Sequence, residues 1–439
     1  MVRTEHLTSA ALAALVFTTT LPAQQPIKTV TLAEAIKLAN ETQPAVIAAQ
    51  GAIVTQQAVI RADKGLFLPS LSTSAGGNRS FSQGPSRIDP SSGQLISGDR
   101  TSQSISFGAT SSLTLFDGFS RARNLAAARA TELADQAGLI STRAATALTV
   151  TLDFFDVLSS QELLKVDSAT VVSDQAQLQV ATAKLAAGAA SRSDSLTALV
   201  TMLTAQQTLF QAQATLTSAE AALGHAVGVS GQVAAADDSA FYHPTAVLDS
   251  AALRKEAISS SPQVQEFTAD LAASRALYAA SKSSYFPTVS LGANIGYTGS
   301  AADSDYTLRQ SRGLSLSLSW PIFNNFSREE RVVVAQVNVE NAEASLADAV
   351  RNMDASVTTQ LAALASAVAQ LAVAQTSVEA STENLRVVMA RYQAGSAATI
   401  VDVDVAEQQL AQTQVNLVVA RFTYLTSRAQ LEALVGRSL

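Results

Sequence analysis

The sequence predicts a mainly α chain with a small β part. Long coiled-coil helical hairpins join four membrane-crossing β-strands per chain, in two tandem structural repeats that assemble as a trimer. Three observations predict this: the chain repeats its own landmarks, two stretches are too long and too regular for globular helices, and four short segments alternate in polarity.

The repeat is read from spacing. Gln43-Pro44 opens a segment that ends at Phe67-Leu68-Pro69-Ser70, and Ser261-Pro262 opens one that ends at Tyr285-Phe286-Pro287-Thr288, with 25 residues from proline to proline in both. Phe116 to Gly188 spans 72 residues, as does Phe323 to Gly395. The offset between halves is 218 before the variable loops and 207 after them, so the first loop is 11 residues longer. Each half closes on similar words, Ala222-Leu223-Gly224 and Ala433-Leu434-Val435-Gly436.

In chain order, residues 1–23 have the layout of a secretory signal peptide: Arg3 and His6, an apolar run from Leu7 to Phe17, then Leu21-Pro22-Ala23. A disordered N-terminal tail is the competing reading. Residues 24–228 form the first repeat: a helix, strands about 70–82 and 102–116, then long helices 119–187 and 190–227. Residues 229–248 link the halves. Residues 249–439 repeat the order, with strands about 288–298 and 312–322 and helices 326–394 and 397–436.

The strands are read by period two. Leu314, Leu316, Leu318 and Trp320 alternate with Ser315, Ser317 and Ser319; Val289, Leu291, Ala293, Ile295 and Tyr297 do the same; the strand after Pro69 is the weakest. Nine to eleven residues, apolar on one side, suit a strand crossing an outer membrane, although a sheet on a soluble core gives the same pattern. Four strands do not close a barrel, and an open edge in lipid leaves backbone groups unpaired at several kcal/mol each. Three chains give 12 strands, enough to enclose a lumen.

From Phe326 to Ala394 neither proline nor glycine occurs, which at 1.5 Å per residue reaches ~100 Å. A stripe from Leu346 to Tyr392 steps by four and three with one stutter, a coiled-coil seam. The returning helix repeats every seven residues (Val403, Leu410, Leu417, Tyr424, Leu431), with Ala406, Thr413, Ala420 and Ser427 in the alternate seam. Leu196, Leu203 and Phe210 stand at the matching places of the first half.

Composition narrows function. The net charge of −7 offers nothing to nucleic acid, and the absence of cysteine excludes disulfides and thiolate chemistry. His6, His225 and His243 are too few and scattered for a metal site or a triad, and no nucleotide motif occurs, so no enzyme activity and no cofactor is expected.

The duplication, the Phe-Leu-Pro-Ser and Tyr-Phe-Pro-Thr words, Leu115-Phe116-Asp117-Gly118, and Arg391-Tyr392-Gln393-Ala394-Gly395 followed by Thr399-Ile400-Val401-Asp402-Val403 resemble the TolC-like outer membrane efflux family over nearly the whole chain. The resemblance implies a homotrimeric 12-strand barrel in outer-membrane lipid and a helical tunnel in the periplasm. It also implies two partners, a periplasmic adaptor protein and an inner-membrane pump of RND or ABC type, as in tripartite efflux or type I secretion. A non-conducting coiled-coil tether is the alternative.

Site residues follow the resemblance. Asp402 takes the place of a periplasmic gate ring, and Asp404 stands near a second acidic position that otherwise falls on Val405; first-turn acids favoured by the helix dipole are the competing explanation. Tyr392 resembles a residue that latches the closed tip and Asp194 its acidic counterpart, although Tyr392 also continues the heptad stripe and plain packing is the competing reading; the basic residue expected after Gly395 is absent, with Arg192 as the candidate substitute. Gly188 and Gly395 mark the hairpin turns, where adaptor docking and plain turn chemistry are both open.

Overall fold

The computed structural model describes residues 27–96, 98, 100–242, 249–301, 307–394 and 398–437. The segment 1–23, read above as a signal peptide, and Gly395 lie outside the described residues, as does part of the linker, 243–248.

The first repeat runs β1 (Lys28–Val30), α1 (Leu32–Thr42), α2 (Pro44–Gly65), β2 (Ser70–Ser82), β3 (Arg87–Ile88), β4 (Leu95–Ile96), β5 (Arg100–Phe116), α3 (Ser120–Ala186) and α4 (Arg192–Val227). The linker holds β6 (Val233–Ala235) and a 3₁₀ turn, Ser239–Tyr242. The second repeat runs α5 (Ser250–Ser260), α6 (Pro262–Ser281), β7 (Thr288–Ala301), β8 (Thr307–Ser319), α7 (Ser327–Gln393) and α8 (Ile400–Val435). Pro44 and Pro262 occupy the first helical turn, where a missing N–H costs nothing.

Two elements depart from the sequence reading. β8 begins at Thr307 and ends at Ser319 rather than spanning about 312–322, because Thr307 to Gln310 extend the ladder against Tyr297 to Ser300, and the pairing stops at Ser319, ahead of Pro321, which has no donor. The loop between β2 and β5 contains a small hairpin of its own, β3 against β4, turned by Asp89, whose carboxylate accepts from Ser91 N and Oγ at 3.0 and 2.8 Å.

The four long strands form one antiparallel sheet in the order β2-β5-β7-β8. Both outer strands, β2 and β8, have one unpaired edge and are exposed along their whole length.

α3 and α7 are each 67 residues long, whereas α4 and α8 are 36. A long helix is therefore covered by two shorter ones: α4 packs the far part of α3, and α2 and α6 pack the part near the sheet. α8 packs α7 and also α3, which joins the repeats. The main core sits midway along the helices, around Phe154, Leu158, Leu223, Val357 and Leu431, and the parallel pair β1–β6 closes over it. Phe241 of the linker meets Phe154 and Phe155 edge-on at 6.0 and 5.5 Å.

The seams explain the composition. Ala406, Thr413, Ala420 and Ser427 of α8 are all buried, and Thr413 shares a 2.7 Å hydroxyl pair with Ser381 of α7. Small residues let these backbones approach closely. Leu196, Leu203 and Phe210 of α4 are not in such a seam. All three are exposed, since α4 meets α3 through Ala198, Ala219 and Leu223 instead. This leaves an apolar stripe of period seven on an open face. α7 contains an 18-residue window of mean hydropathy 1.5, only 22% buried within the chain. Alanine and valine on several sides of the helix produce that value, and the helix packs against α6 and α8.

Candidate functional site

Two regions carry features that internal packing does not explain: the sheet with its corners, and the hairpin tips about 100 Å away.

On the sheet, Leu314, Leu316, Leu318 and Trp320 stand exposed on one side. The other side is laced by hydroxyl pairs across strands, Ser70–Ser112 at 2.8 Å, Ser72–Thr110 at 2.7 Å and Ser290–Ser317 at 2.7 Å. An apolar outer face and a hydrogen-bonded polar inner face are what a wall between lipid and water requires.

Each strand-to-helix corner passes through two consecutive left-handed residues, Gly118 and Phe119 (φ 67° and 66°) or Asn325 and Phe326 (φ 56° and 62°). A left-handed phenylalanine is uncommon. Each ring is met edge-on by the phenylalanine three residues earlier, Phe116 at 5.6 Å and Phe323 at 5.4 Å. Arg121 and Arg328, equivalent in the two repeats, fasten these corners. Arg121 donates to Asp117 at 2.9 Å and to Leu66 O at 3.1 Å, and its guanidinium lies 4.9 Å from the Phe67 ring. Arg328 donates to Pro321 O at 2.8 Å and lies 4.8 Å from the Tyr285 ring. Sequence reasoning missed both arginines, although the offset of 207 relates them directly.

At the tips, Gly188 has φ 75°, and the bonds Gly188 N to Leu185 O (3.0 Å) and Ala189 N to Lys184 O (2.8 Å) close α3 in a Schellman turn. Nothing packs on the outside of Gly188, so this turn is an open surface. α4 and α8 then start with equivalent capping boxes. Ser191 N donates to the Asp194 carboxylate at 2.9 Å, and Thr399 N donates to the Asp402 carboxylate at 2.7 Å. The Thr399 hydroxyl also donates to Asp402, at 2.8 Å, and these bonds hold its carboxyl below the usual range. Ser191-x-x-Asp194 and Thr399-x-x-Asp402 were visible in the sequence as a pattern that separate roles for Asp194 and Asp402 obscured.

Tyr392 and Asp194 are not brought together. The Tyr392 ring lies under the Lys184 ammonium, 3.4 Å from nitrogen to ring centroid, so Tyr392 meets the other hairpin through a cation–π pair, with Asp194 kept in its cap. Lys184 supplies the positive charge that the sequence lacks after Gly395.

Asp402 and Asp404 also separate. Asp402 is exposed, whereas Asp404 is buried and accepts from Thr201 Oγ1 at 3.1 Å. Asp404 faces a cavity of about 560 Å³ between α3, α4 and α8, shared with Asp174 and Glu407. Glu407 accepts from Ser173 at 2.9 Å with one oxygen; the other is buried without a partner. Burial first, then Glu407 and Asp404, push Asp174 up to about 6. Among the described residues no group of His, Cys, Asp and Glu is arranged to hold a metal ion.

A strand sheet with lipid-type polarity, joined to duplicated hairpins of this length, is matched by one family description. The model of the outer membrane efflux protein family fits residues 35–229 and 253–437. The chain belongs to that family. Its fold is also that of solved outer-membrane channels. The chain is similar to CusC (19% identity, TM-score 0.76, covering 93% of this chain and 92% of that one). It is similar to the Campylobacter jejuni CmeC outer membrane channel (16%, 0.76, covering 92% and 85%). The open state of the Neisseria gonorrhoeae MtrE outer membrane channel is similar as well (19%, 0.72, covering 93% and 89%). No curated protein matches the chain. Membership makes this an efflux channel of the outer membrane with its helices in the periplasm. Channels of the family work as trimers with adaptor and inner-membrane pump partners.

Proposed function

We propose that three copies of this chain form a passive exit duct, the outer-membrane component of a tripartite efflux or type I secretion system. The observation that carries this reading is the pair of unpaired edges on β2 and β8 of a sheet whose outer face is apolar. Joining β2 of one copy to β8 of the next satisfies both edges and completes 12 strands. The exposed stripe Leu196, Leu203 and Phe210 on α4 gives the helices a matching surface for a neighbouring copy.

The far end then acts as the gate. Three copies of Asp402 form one ring of charge that attracts cations, while Asp404, turned into the interhelix cavity, stays out of it. Lys184 over Tyr392 clasps the two hairpins of each chain. The open turn at Gly188, together with Gly395, its counterpart in the sequence of the second repeat, forms the docking face for a periplasmic adaptor protein, which couples the duct to an inner-membrane pump of RND or ABC type. The chain does no catalysis and draws its energy from that pump. A non-conducting tether would have no use for an amphipathic sheet with open edges.

The test is reconstitution of the purified protein in planar bilayers. Discrete, cation-preferring conductance steps support the duct. A protein that inserts as a heat-modifiable trimer and never conducts, even with its tips loosened by mutation, would leave the tether.

A further inference from the structure

The acid cluster at the tip is built unlike a salt-bridge network. Asp174 comes from α3, Asp404 and Glu407 from α8, and all three are at least nine-tenths buried. α4 faces them with Thr201 and further neutral side chains, and Asp167 is the remaining acid on the cavity wall. Among the described residues no Lys, Arg or His lines the cavity, and α7 sends no charged group into it, Arg386 being exposed and paired with Glu383. One polar atom at this site has no partner, the second Glu407 oxygen. A buried carboxylate oxygen without a donor is costly unless a proton sits on it or beside it. Three carboxylates gathered at one largely buried site do not all ionise readily, since like charges raise one another's affinity for protons.

We propose that Asp174, Asp404 and Glu407 form a proton-binding site that locks α8 against α3 and α4, so that acid holds the tip shut and loss of the proton loosens the α7–α8 hairpin. This rests on the reading of these hairpins as the periplasmic end of a duct. The sign follows from the position of Asp174. Its value is raised from 3.8 to about 6 in the packed arrangement, so packing binds the proton more tightly than separation does. The penalty on packing is absent below 3.8, grows from there, and is complete above about 6. Two units of proton affinity correspond to about 10²-fold in the packed-to-separated ratio.

The experiment uses the full-length cysteine-free protein with nitroxide labels on cysteines placed at Val172 of α3 and Val401 of α8, both exposed. Distance distributions by pulsed electron resonance are compared at pH 5 and pH 8. The expected result is a short, narrow distribution at pH 5 and a longer, broader one at pH 8, the packed-to-separated ratio falling about tenfold between the two and changing little above about 6. Asp174→Asn with Glu407→Gln should keep the short distribution at both values. Identical distributions at both pH values in the unaltered background overturn the proposal, whether or not the double variant folds. So does a full shift in the double variant, or a shift that follows added Mg²⁺ at constant pH. Label distances are read in the folded chain irrespective of conductance, so failure here is separable from failure of the duct.

Discussion

Replacing Tyr392 with leucine removes the ring beneath Lys184 while keeping an apolar side chain at the end of the α7 seam. The ammonium lies 3.4 Å from the ring centroid, and both residues are half-buried, between the exposed and the desolvated case. A contact of that kind is worth ~1 kcal/mol. Three copies opening together add to ~3 kcal/mol, or ~10²-fold in the open-to-closed ratio. In single-channel recordings Tyr392→Leu and Lys184→Met should each raise the resting open fraction by about that factor, limited by saturation. Tyr392→Phe should change it little, because a phenyl ring still presents its face to the cation. The comparison is decisive because a latch made by the tyrosine hydroxyl predicts the reverse. If Tyr392→Phe opens the channel as much as Tyr392→Leu does, the cation–π clasp is refuted.

Further outcomes follow from the sheet, the corners and the cap. Leu316→Arg puts a charge on the lipid side of β8, costing ~2–4 kcal/mol per chain near the membrane centre, and should deplete heat-modifiable trimer from outer-membrane fractions; a matching change at Ser317 should be tolerated. Arg121→Ala removes the charged partner of Asp117, which keeps only the backbone N–H of residue 121, where both side chains are about 15% exposed, and should lower unfolding stability by ~2 kcal/mol in thermal melts. Arg121→Lys should recover only part of it, since lysine cannot fork between carboxylate and carbonyl. Asp402→Ala should reduce cation preference in bilayers. In the unaltered protein that preference should persist at pH 4, because the Thr399 bonds keep the carboxylate ionised; the cap is present above 3.8 and lost only as pH falls through its lowered value. Unchanged selectivity in Asp402→Ala would leave this residue a helix cap and nothing more.

The architecture was legible because its signals are periodic. Proline-to-proline spacing exposed the duplication, and a serine–leucine alternation exposed β8. What the sequence hid were contacts that join distant parts of the chain. Nothing local marks Lys184 as the partner of Tyr392, 208 residues away, or turns Asp404 away from Asp402 two residues before it. That second separation is a matter of helix phase, since two residues along a helix rotate a side chain by ~200°. Leu196, Leu203 and Phe210 illustrate a different limit. Their period is right for a seam, but period alone does not say whether the seam closes within the chain or faces a neighbour. The two corner arginines were within reach, since the same offset that aligned the halves aligns them.

In the proposed duct β2 and β8 finish one another between copies. Cysteine pairs scanned along these two edges, in a background that has no other cysteine, test it most directly. Oxidation of the right pairs should yield covalent species of two and three chains on a denaturing gel and none larger. Crosslinks confined to single chains across the whole scan, in correctly inserted protein, would contradict it.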